Sequence, residues 1–235
     1  MIVIVVGMHR SGTSALAGTL QANGICMGEE GDFFPPPMKE NPKGFFENRR
    51  FRTINDHLLR EWTYRVKSFD PAVPKWCREC SGSIHLQMDA VVRHYHDRYD
   101  AWGWKDPRTC LTLRPWLDTL LSVCGSSHIK VLLTVRDAKD ITTSMLERGN
   151  KEKTPGQFEA LTREYYYSAT TALTDARVDY HMVTFVSLMQ DTAACVDKIA
   201  KYLDHPLPKI DFVDRRVSKA TRRGESYMAA DGGGI

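Results

Sequence analysis

The sequence predicts an α/β protein of three layers, in which a central parallel sheet is flanked by helices on both faces. Apolar strand patterns alternate with amphipathic helix patterns along the whole chain. The two clearest strands, residues 2–6 and 129–135, are continuous runs rich in β-branched side chains, which is typical of strands buried on both faces. Each is followed by a helix pattern, as the crossover between parallel strands requires. We expect a sheet of about four to six strands.

Composition and charge exclude several classes of protein. The chain has 235 residues, of which 42% are apolar and 26% charged, so one domain over residues 1–235 is expected. The formal net charge of +3 is too small for a nucleic-acid wrapper, and no apolar segment has the length of a membrane span. Residues 2–6 have no basic region before them, which argues against a signal peptide. Together with six scattered cysteines, this predicts a cytoplasmic protein with reduced thiols.

The first part of the chain alternates between regular and irregular patterns. The first strand runs into a turn at residues 7–14, and a helix follows that ends near Asn23. Prolines, asparagines and glycines predict a loop over residues 28–44, and long loops in compact domains tend to carry function. Helical periodicity returns over residues 54–62 and 84–95.

The second half supplies the remaining strands and three marked helix starts. Residues 102–104 form a short strand pattern, a helix is expected over 113–123, and residues 180–185 give a further strand. The residues that mark helix starts are the N-cap Asp137 and the two capping boxes Thr154-Pro-Gly-Gln157 and Ser187-Leu-Met-Gln190. Residues 231–235 are expected to be a frayed tail.

A glycine-containing turn follows the first strand directly, with the sequence Gly7-Met-His-Arg-Ser-Gly-Thr-Ser14. Between a strand and a helix, such a turn points backbone N–H groups and a helix N-terminus towards a phosphate. The glycine spacing matches the nucleotide-binding P-loop, G-x-x-x-x-G-K-[ST], but Thr13 occupies the position of its lysine. Arg10 can instead supply a forked positive charge that suits a terminal oxyanion. A purely structural turn is the alternative.

Two segments resemble the sulfotransferases that use 3′-phosphoadenosine-5′-phosphosulfate (PAPS). Arg10-Ser-Gly-Thr-Ser14 resembles their 5′-phosphosulfate loop, [KR]-S-G-T-[TS]. Arg136, at a strand end, and Ser144, eight residues later, resemble their 3′-phosphate motif. Because helical side chains tilt towards the helix N-terminus, we expect the Ser144 hydroxyl to point back towards Arg136, so that both reach one phosphate. An arginine turn with an incidental serine is the alternative.

Two further segments carry weaker resemblances. Trp104-Lys-Asp-Pro-Arg108 is similar to a Lys-Asp-Pro element of several family branches, in which the lysine, here Lys105, approaches the transferring group. Arg222, Arg223 and Gly224 resemble the C-terminal basic segment that closes over the 3′-phosphate in cytosolic members, although the fuller G-x-x-G-x-x-K pattern is absent. A turn lysine and a solvated basic tail are the alternatives.

Residues 28–48 are expected to form the loop on the acceptor side. Transfer needs a base for the proton of the acceptor hydroxyl, and a partly buried glutamate whose pKa is tuned upward suits that task. Glu30 falls where protein-tyrosine members carry a catalytic glutamate, whereas Glu47 lies in a segment that resembles bacterial-type members. The two are rival candidates for the base. Exposed loop glutamates without a catalytic role are the alternative.

The resemblance implies a P-loop-like sulfotransferase of bacterial type, which moves the sulfuryl group of PAPS to a hydroxyl or amine acceptor and leaves adenosine 3′,5′-bisphosphate. It implies catalytic roles for Arg10, Lys105 and either Glu47 or Glu30, without a metal. The residues implied to hold the nucleotide are Arg10, Ser11, Gly12, Thr13, Ser14, Arg136, Ser144, Arg222, Arg223 and Gly224. A P-loop kinase that uses ATP and Mg²⁺ is the second hypothesis, and a nucleotide-binding module without turnover is the third. The acceptor and the oligomeric state stay open.

Overall fold

A single parallel sheet organises the described part of the protein. The computed structural model describes residues 1–33, 43–74, 79–125, 128–150, 152–210 and 213. Within them, the strands are β1 (Ile2–Gly7), β2 (Trp102–Lys105), β3 (Ile129–Val135) and β4 (Tyr180–Thr184). They pair in the order β2-β1-β3-β4, and every pairing is parallel. All the strands expected from the sequence are therefore confirmed.

Helices fill the connections between the strands. A helix is found at each expected place, but some bounds differ. The helix expected over residues 54–62 begins at Arg49, the helix after β2 begins at Thr109 rather than at residue 113, and two helices follow β4 where one was expected. A 3₁₀ helix, Val66–Ser68, is described as well. The α-helices of the described residues are α1 (Thr13–Ala22), α2 (Arg49–Glu61), α3 (Gly82–His96), α4 (Thr109–Cys124), α5 (Ala138–Glu147), α6 (Pro155–Ala176), α7 (Phe185–Gln190) and α8 (Thr192–Leu203).

The helices form two layers, one on each face of the sheet, and each layer encloses an apolar core. In β1, Ile2, Ile4 and Val6 point into one core while Val3 and Val5 point into the other, and all five are fully buried. Each such side chain contributes roughly 1.5–3 kcal/mol. Helices α2 to α6 supply the first core, and α1, α7 and α8 supply the second. This arrangement confirms the three-layer α/β fold.

The strand order places the segments after β1, β2 and β3 at one edge of the sheet. From β1 the chain continues to its neighbour β2 on one side of β1, and from β3 it continues to β4 on the opposite side of the sheet. The connections after β1 and after β3 therefore run in opposite directions and leave a crevice between these two strands. In open α/β sheets, ligands bind at such a switch point, outside the carboxyl ends of the strands. The register pairs Val5 with Lys105 and Gly7 with Thr134, which aligns those ends.

Two of the three expected helix starts are confirmed. The Asp137 side chain accepts hydrogen bonds from two backbone N–H groups at the start of α5, and Thr154 belongs to the expected capping box of α6. The prediction for Ser187 is wrong, because Ser187 lies inside α7. That helix is capped by the side chain of Thr184, which accepts from the Ser187 N–H, and α8 is capped by Asp191.

A buried polar network centred on Asn55 holds α2 against α4. The fully buried Asn55 amide donates to Asp106 Oδ2 at 2.9 Å and to Thr109 Oγ1 at 3.1 Å. Its carbonyl oxygen accepts from Thr112 Oγ1 at 2.6 Å and from Trp116 Nε1 at 2.7 Å. These bonds use the full hydrogen-bonding capacity of the amide. The network therefore fixes the segment that follows β2.

Candidate active site

Two glycines shape the turn after β1. Gly7 approaches β3 so closely that a Cβ atom there would lie 2.1 Å from Thr134 Oγ1. Gly12 has a φ of 96°, in the left-handed region that favours glycine, and a Cβ atom would lie 2.8 Å from Cδ2 of Phe185. Thr13, in the position of the P-loop lysine, begins α1 and is buried. The turn therefore lies tightly against the end of β3 and the start of α7.

The hydroxyl groups of the turn hold its shape. Ser11 is fully buried, and its hydroxyl and its backbone N–H both donate to the Met8 carbonyl, at 2.6 and 3.2 Å. Ser14 Oγ donates to the Phe45 carbonyl at 3.1 Å. The amino end of α1, by contrast, has no side-chain cap within the described residues. Its first backbone N–H groups therefore remain for an anion, which the helix dipole also favours.

Arg10 joins the two segments in which phosphate binding is predicted. Its φ of 69° is uncommon for a residue other than glycine, and such outliers cluster at functional sites. Arg10 Nε donates to Ser144 Oγ at 2.9 Å. The Arg10 carbonyl accepts from Nη1 of Arg136 at 2.9 Å. We call these three residues the arginine junction, and it lies at the switch point between β1 and β3.

Arg136 is held from several sides. Its guanidinium lies over the Phe185 ring, 4.1 Å from the centroid, in a cation–π contact. Its backbone N–H donates to the Tyr166 hydroxyl at 3.0 Å, and Nε lies 3.9 Å from Asp140 Oδ2. The Ser144 hydroxyl was expected to point towards Arg136, but the hydrogen bond described for it is the one that it accepts from Arg10.

Lys105 and one of the rival glutamates are in direct contact. Lys105 is 2% exposed, and its Nζ donates to the Phe45 carbonyl at 2.9 Å and to Glu47 Oε1 at 3.2 Å. Burial lowers the pKa of Lys105, while the Glu47 carboxylate opposes that shift. Because the Phe45 carbonyl also accepts from Ser14, residues 43–48 bring Lys105 next to the turn after β1.

Glu47 lies among three positive charges. Its Oε1 contacts Lys105, and its Oε2 lies 3.6 Å from Arg52 Nη1 and 3.6 Å from Arg108 Nη1. We call these four residues the Glu47 cluster. Burial acts to raise the pKa of Glu47, but the cations outweigh it and lower the pKa to about 2. The expectation of upward tuning is therefore wrong for Glu47.

The other rival, Glu30, is exposed, and the contacts in this loop are made by the preceding residue. Both carboxylate oxygens of Glu29 lie 3.0 Å from His94 Nε2. Glu29 also accepts from the Tyr99 hydroxyl at 3.1 Å and pairs with Arg50 at 3.3 Å. This network holds the loop against α2 and α3.

The sequence analysis missed His9, which directly precedes Arg10. Its ring meets that of Phe69 edge-on, with centroids 6.0 Å apart, and lies 5.9 Å from the ring of Tyr165. The charges of the Glu47 cluster act on its imidazole. The signal that could have found it is an ionisable side chain inside the turn that is predicted to bind phosphate, beside Arg10.

Some predictions lie outside the described residues. They concern Arg222, Arg223 and Gly224, the tail at 231–235, and residues 34–42 of the acceptor-side loop. In the part of the chain that is described, no helix is long and apolar enough to cross a membrane. The same part contains no group of three or more His, Cys, Asp or Glu side chains that could hold a metal ion.

Comparison with known sequences decides the family. The sequence profile of the Sulfotransferase family matches residues 3–209, which cover nearly all of the described fold and the whole arginine junction. The chain belongs to the sulfotransferase family. No curated protein sequence matches this sulfotransferase significantly.

The comparison with solved structures finds several that are similar to this sulfotransferase. The sulfotransferase domain of the Synechococcus PCC 7002 olefin synthase matches with a TM-score of 0.51 and 16% identity, over 89% of this chain and 74% of that domain. A sulfotransferase from Alicyclobacillus acidocaldarius has a TM-score of 0.48 and 12% identity, over 97% and 91%. A deoxyadenosine kinase from M. mycoides has a TM-score of 0.43 and 11% identity, over 87% and 100%. The first match supports the P-loop-like α/β fold.

Proposed function

We propose that this sulfotransferase uses PAPS as its donor and transfers the sulfuryl group to a hydroxyl or amine acceptor. The arginine junction carries the proposal, because it joins the turn after β1 to the helix after β3. PAPS bears two anionic groups on one nucleotide, the 5′-phosphosulfate and the 3′-phosphate. Two arginines and the amino end of α1, gathered at one switch point, suit that pair of charges.

Arg10 and the first N–H groups of α1 bind the 5′-phosphosulfate in this proposal. Negative charge grows on the bridging oxygen as the bond to sulfur breaks, and preorganised donors stabilise it without rearrangement. Gly12, Thr13 and Ser14 supply the backbone donors. Ser11 contributes mainly by shaping the turn, because its own N–H and hydroxyl are engaged with the Met8 carbonyl.

Arg136 and Ser144 recognise the 3′-phosphate, the group that distinguishes PAPS from ATP. A guanidinium can make forked, charge-assisted bonds to a phosphate, and a nearby hydroxyl adds a further donor. Arg222, Arg223 and Gly224 are assigned to the same phosphate on the basis of the family resemblance. The sequence itself disfavours ATP, because Thr13 replaces the P-loop lysine and the strand β3 is followed by Arg136 rather than by a carboxylate.

Lys105 assists at the transferring group. Its ammonium lies beside the turn after β1 and is held by the Phe45 carbonyl and by Glu47. Of the two rival glutamates, Glu47 is the one that contacts this lysine, so we assign it to the site and leave Glu30 to the exposed loop. Burial lowers the pKa of Lys105, and the Glu47 carboxylate opposes that shift and so favours the charged ammonium.

Calorimetric titration with adenosine 3′,5′-bisphosphate, and separately with ADP and Mg²⁺, tests the donor without an acceptor. We expect the bisphosphate to bind more tightly and to need no metal. Preference for Mg²⁺–ADP would contradict the proposal and support a kinase. Release of the bisphosphate from PAPS in the presence of hydroxyl and amine acceptors then tests turnover, and binding without release from any acceptor would support a nucleotide-binding module.

A further inference from the structure

His9 and Tyr165 share a feature that the donor site does not explain. His9 Nε2 and the Tyr165 hydroxyl are both buried, and neither has a hydrogen-bond partner within the described residues. The two rings are neighbours, with centroids 5.9 Å apart. Buried polar atoms are nearly always hydrogen-bonded, so two unpartnered atoms on neighbouring rings point to a ligand or a water there. Tyr165 is fully buried, so its hydroxyl lies in the interior of the protein.

The two rings adjoin the candidate active site. His9 directly precedes Arg10, and its imidazole lies within the electrostatic reach of the Glu47 cluster. The Phe69 ring meets the imidazole edge-on, with centroids 6.0 Å apart, and packs against Phe158 of α6 on another side.

The imidazole of His9 is held neutral, which leaves one ring nitrogen as an acceptor. Burial is the largest of the effects that lower the pKa of His9, to about 3. The positive charges of Arg108 and Lys105, on the β2–α4 side, and of Arg148, after α5, lower it as well, whereas the negative charge of Glu47 opposes the shift. On the α6 side the neighbour is Tyr165, and burial also raises the pKa of its phenol, so it stays an uncharged donor. A neutral imidazole beside a neutral phenol can receive a proton and orient a hydroxyl.

We propose that His9 Nε2 is the base that accepts the proton of the acceptor hydroxyl. In this step the acceptor oxygen forms a bond to sulfur while the bond from sulfur to the bridging oxygen of PAPS breaks. The electron pair stays on the bridging oxygen of adenosine 3′,5′-bisphosphate, and the hydroxyl proton moves to His9 Nε2. The imidazolium afterwards loses that proton to water. The inference rests on the proposed function, because it assumes PAPS as the donor.

Glu47 is less suited to this task than His9. Its two carboxylate oxygens already contact Lys105, Arg52 and Arg108. Taking a proton would neutralise the group that balances these cations. His9 Nε2 has no described partner to give up, and nucleotide anions near Arg10 would make its protonation easier than in the protein alone. His9 therefore moves the proton and Glu47 balances the charge of Lys105.

The protonation state of His9 can be measured on the wild-type protein, so the test does not depend on whether a variant folds. Long-range ¹H–¹⁵N spectra distinguish a ring nitrogen that carries a proton from one that does not. We expect an unprotonated His9 Nε2 between pH 5.5 and 8, with and without adenosine 3′,5′-bisphosphate. A proton on Nε2 over this range would overturn the inference.

Kinetics supply the second measurement, with release of the bisphosphate from PAPS as the readout and 4-nitrophenol, 2-naphthol or water as the acceptor. His9→Ala and His9→Gln should lower the rate by about 10²- to 10⁴-fold while bisphosphate affinity changes less than about threefold. Added imidazole should restore part of the rate of His9→Ala, which a structural role would not allow. His181→Gln is the matched control, since His181 lies on β4 and stacks on Tyr202.

The outcomes separate this inference from the proposed function. Normal turnover in both His9 variants, or a loss in Glu47→Gln with none in His9→Gln, would overturn the role of His9 and leave the sulfotransferase proposal standing. Failure of the wild-type protein to bind the bisphosphate would count against PAPS instead. If the wild-type protein binds the bisphosphate and yet releases none from PAPS, the spectra decide. A signal of unprotonated Nε2 that shifts when bisphosphate and 2-naphthol are added supports the inference. A signal that does not shift overturns it.

Discussion

Replacing Arg136 with alanine should weaken binding of adenosine 3′,5′-bisphosphate selectively. Arg136 Nη1 donates to the Arg10 carbonyl at 2.9 Å, which aims the guanidinium at the junction between the two phosphate-binding segments. The substitution removes one charged donor from the proposed 3′-phosphate site. A hydrogen bond to a charged group contributes about 1.5–3 kcal/mol. This corresponds to a rise in Kd of roughly 10- to 150-fold.

The loss should depend on the 3′-phosphate. Adenosine 5′-phosphate lacks that group, so its Kd should change less than about threefold in the same calorimetric titration. Arg136→Lys keeps the charge but not the forked geometry, and its affinity for the bisphosphate should lie between those of the wild type and Arg136→Ala. Arg163→Ala is the matched control, because Arg163 is exposed on α6, and it should bind both nucleotides as the wild type does.

Equal losses for the two nucleotides would refute the assignment. Arg136 also lies over the Phe185 ring, and Phe185 in turn packs against Gly12. Its removal could therefore disturb the turn that binds the 5′-group. That disturbance would weaken both nucleotides alike, whereas loss of a 3′-phosphate contact weakens only one. Thermal unfolding of each variant shows whether the fold itself is retained.

The remaining predictions concern stability. Gly12→Ala should lower the free energy of unfolding in urea by about 1–3 kcal/mol, because Gly12 has a positive φ and a Cβ atom there would meet Phe185. Gly24 also has a positive φ, of 86°, but a Cβ atom there would have nothing within 4 Å, so Gly24→Ala should lower that free energy less. Equal losses in the two variants would contradict the contact between position 12 and Phe185. Asn55→Ala should lower the free energy of unfolding by about 3 kcal/mol or more in the same assay, because each buried partner left without a hydrogen bond costs about 1–3 kcal/mol. A loss below about 1 kcal/mol would contradict the role of the Asn55 network. The lowered pKa of Glu47, about 2, means that its stabilisation is complete above pH 4.5 and is lost as the pH falls towards 2. The difference in unfolding free energy between wild type and Glu47→Gln should therefore shrink over that range, and a constant difference would contradict the ion pairing.

The strands could be predicted because buried strands consist of apolar side chains, which are visible in the sequence. β1 is buried along its whole length, so both faces demand apolar side chains and the run is continuous. Helix starts were less certain where two local signals overlap. The pattern at Ser187 is a valid capping box in isolation, but the strand β4 ends at Thr184, whose hydroxyl reaches the Ser187 N–H first. Only the position at which β4 ends distinguishes a helix capped by Thr184 from one capped by Ser187.

Sequence motifs suffice to nominate residues for the candidate site, but not to predict which groups those residues contact. Arg10, Arg136 and Ser144 were identified from motifs, whereas the bond from Arg10 to Ser144 depends on the packing of α5 beside the turn after β1. The direction of the Glu47 pKa depends in the same way on cations supplied by α2 and by the segment after β2. Such contacts join residues far apart in the chain, and no local spacing encodes them. The same holds for His9, because the lack of a hydrogen-bond partner for its Nε2 among the described residues is a property of the tertiary packing.

Selectivity for a 3′-phosphate follows from what the cations of the site contact. Lys105 and Arg108 are bonded to carboxylates, so an entering anion would have to compete with a charged partner there. Within the arginine junction, Arg10 donates to the Ser144 hydroxyl and Arg136 donates to the Arg10 carbonyl, both uncharged acceptors, while the Asp140 carboxylate lies 3.9 Å from Arg136 Nε, beyond hydrogen-bond distance. A charge-assisted bond is roughly twice as strong as a neutral one, so a phosphate that replaces these acceptors gains free energy. A nucleotide without the 3′-phosphate leaves the bond from Arg136 to the Arg10 carbonyl in place, which is why the loss caused by Arg136→Ala should be confined to the bisphosphate.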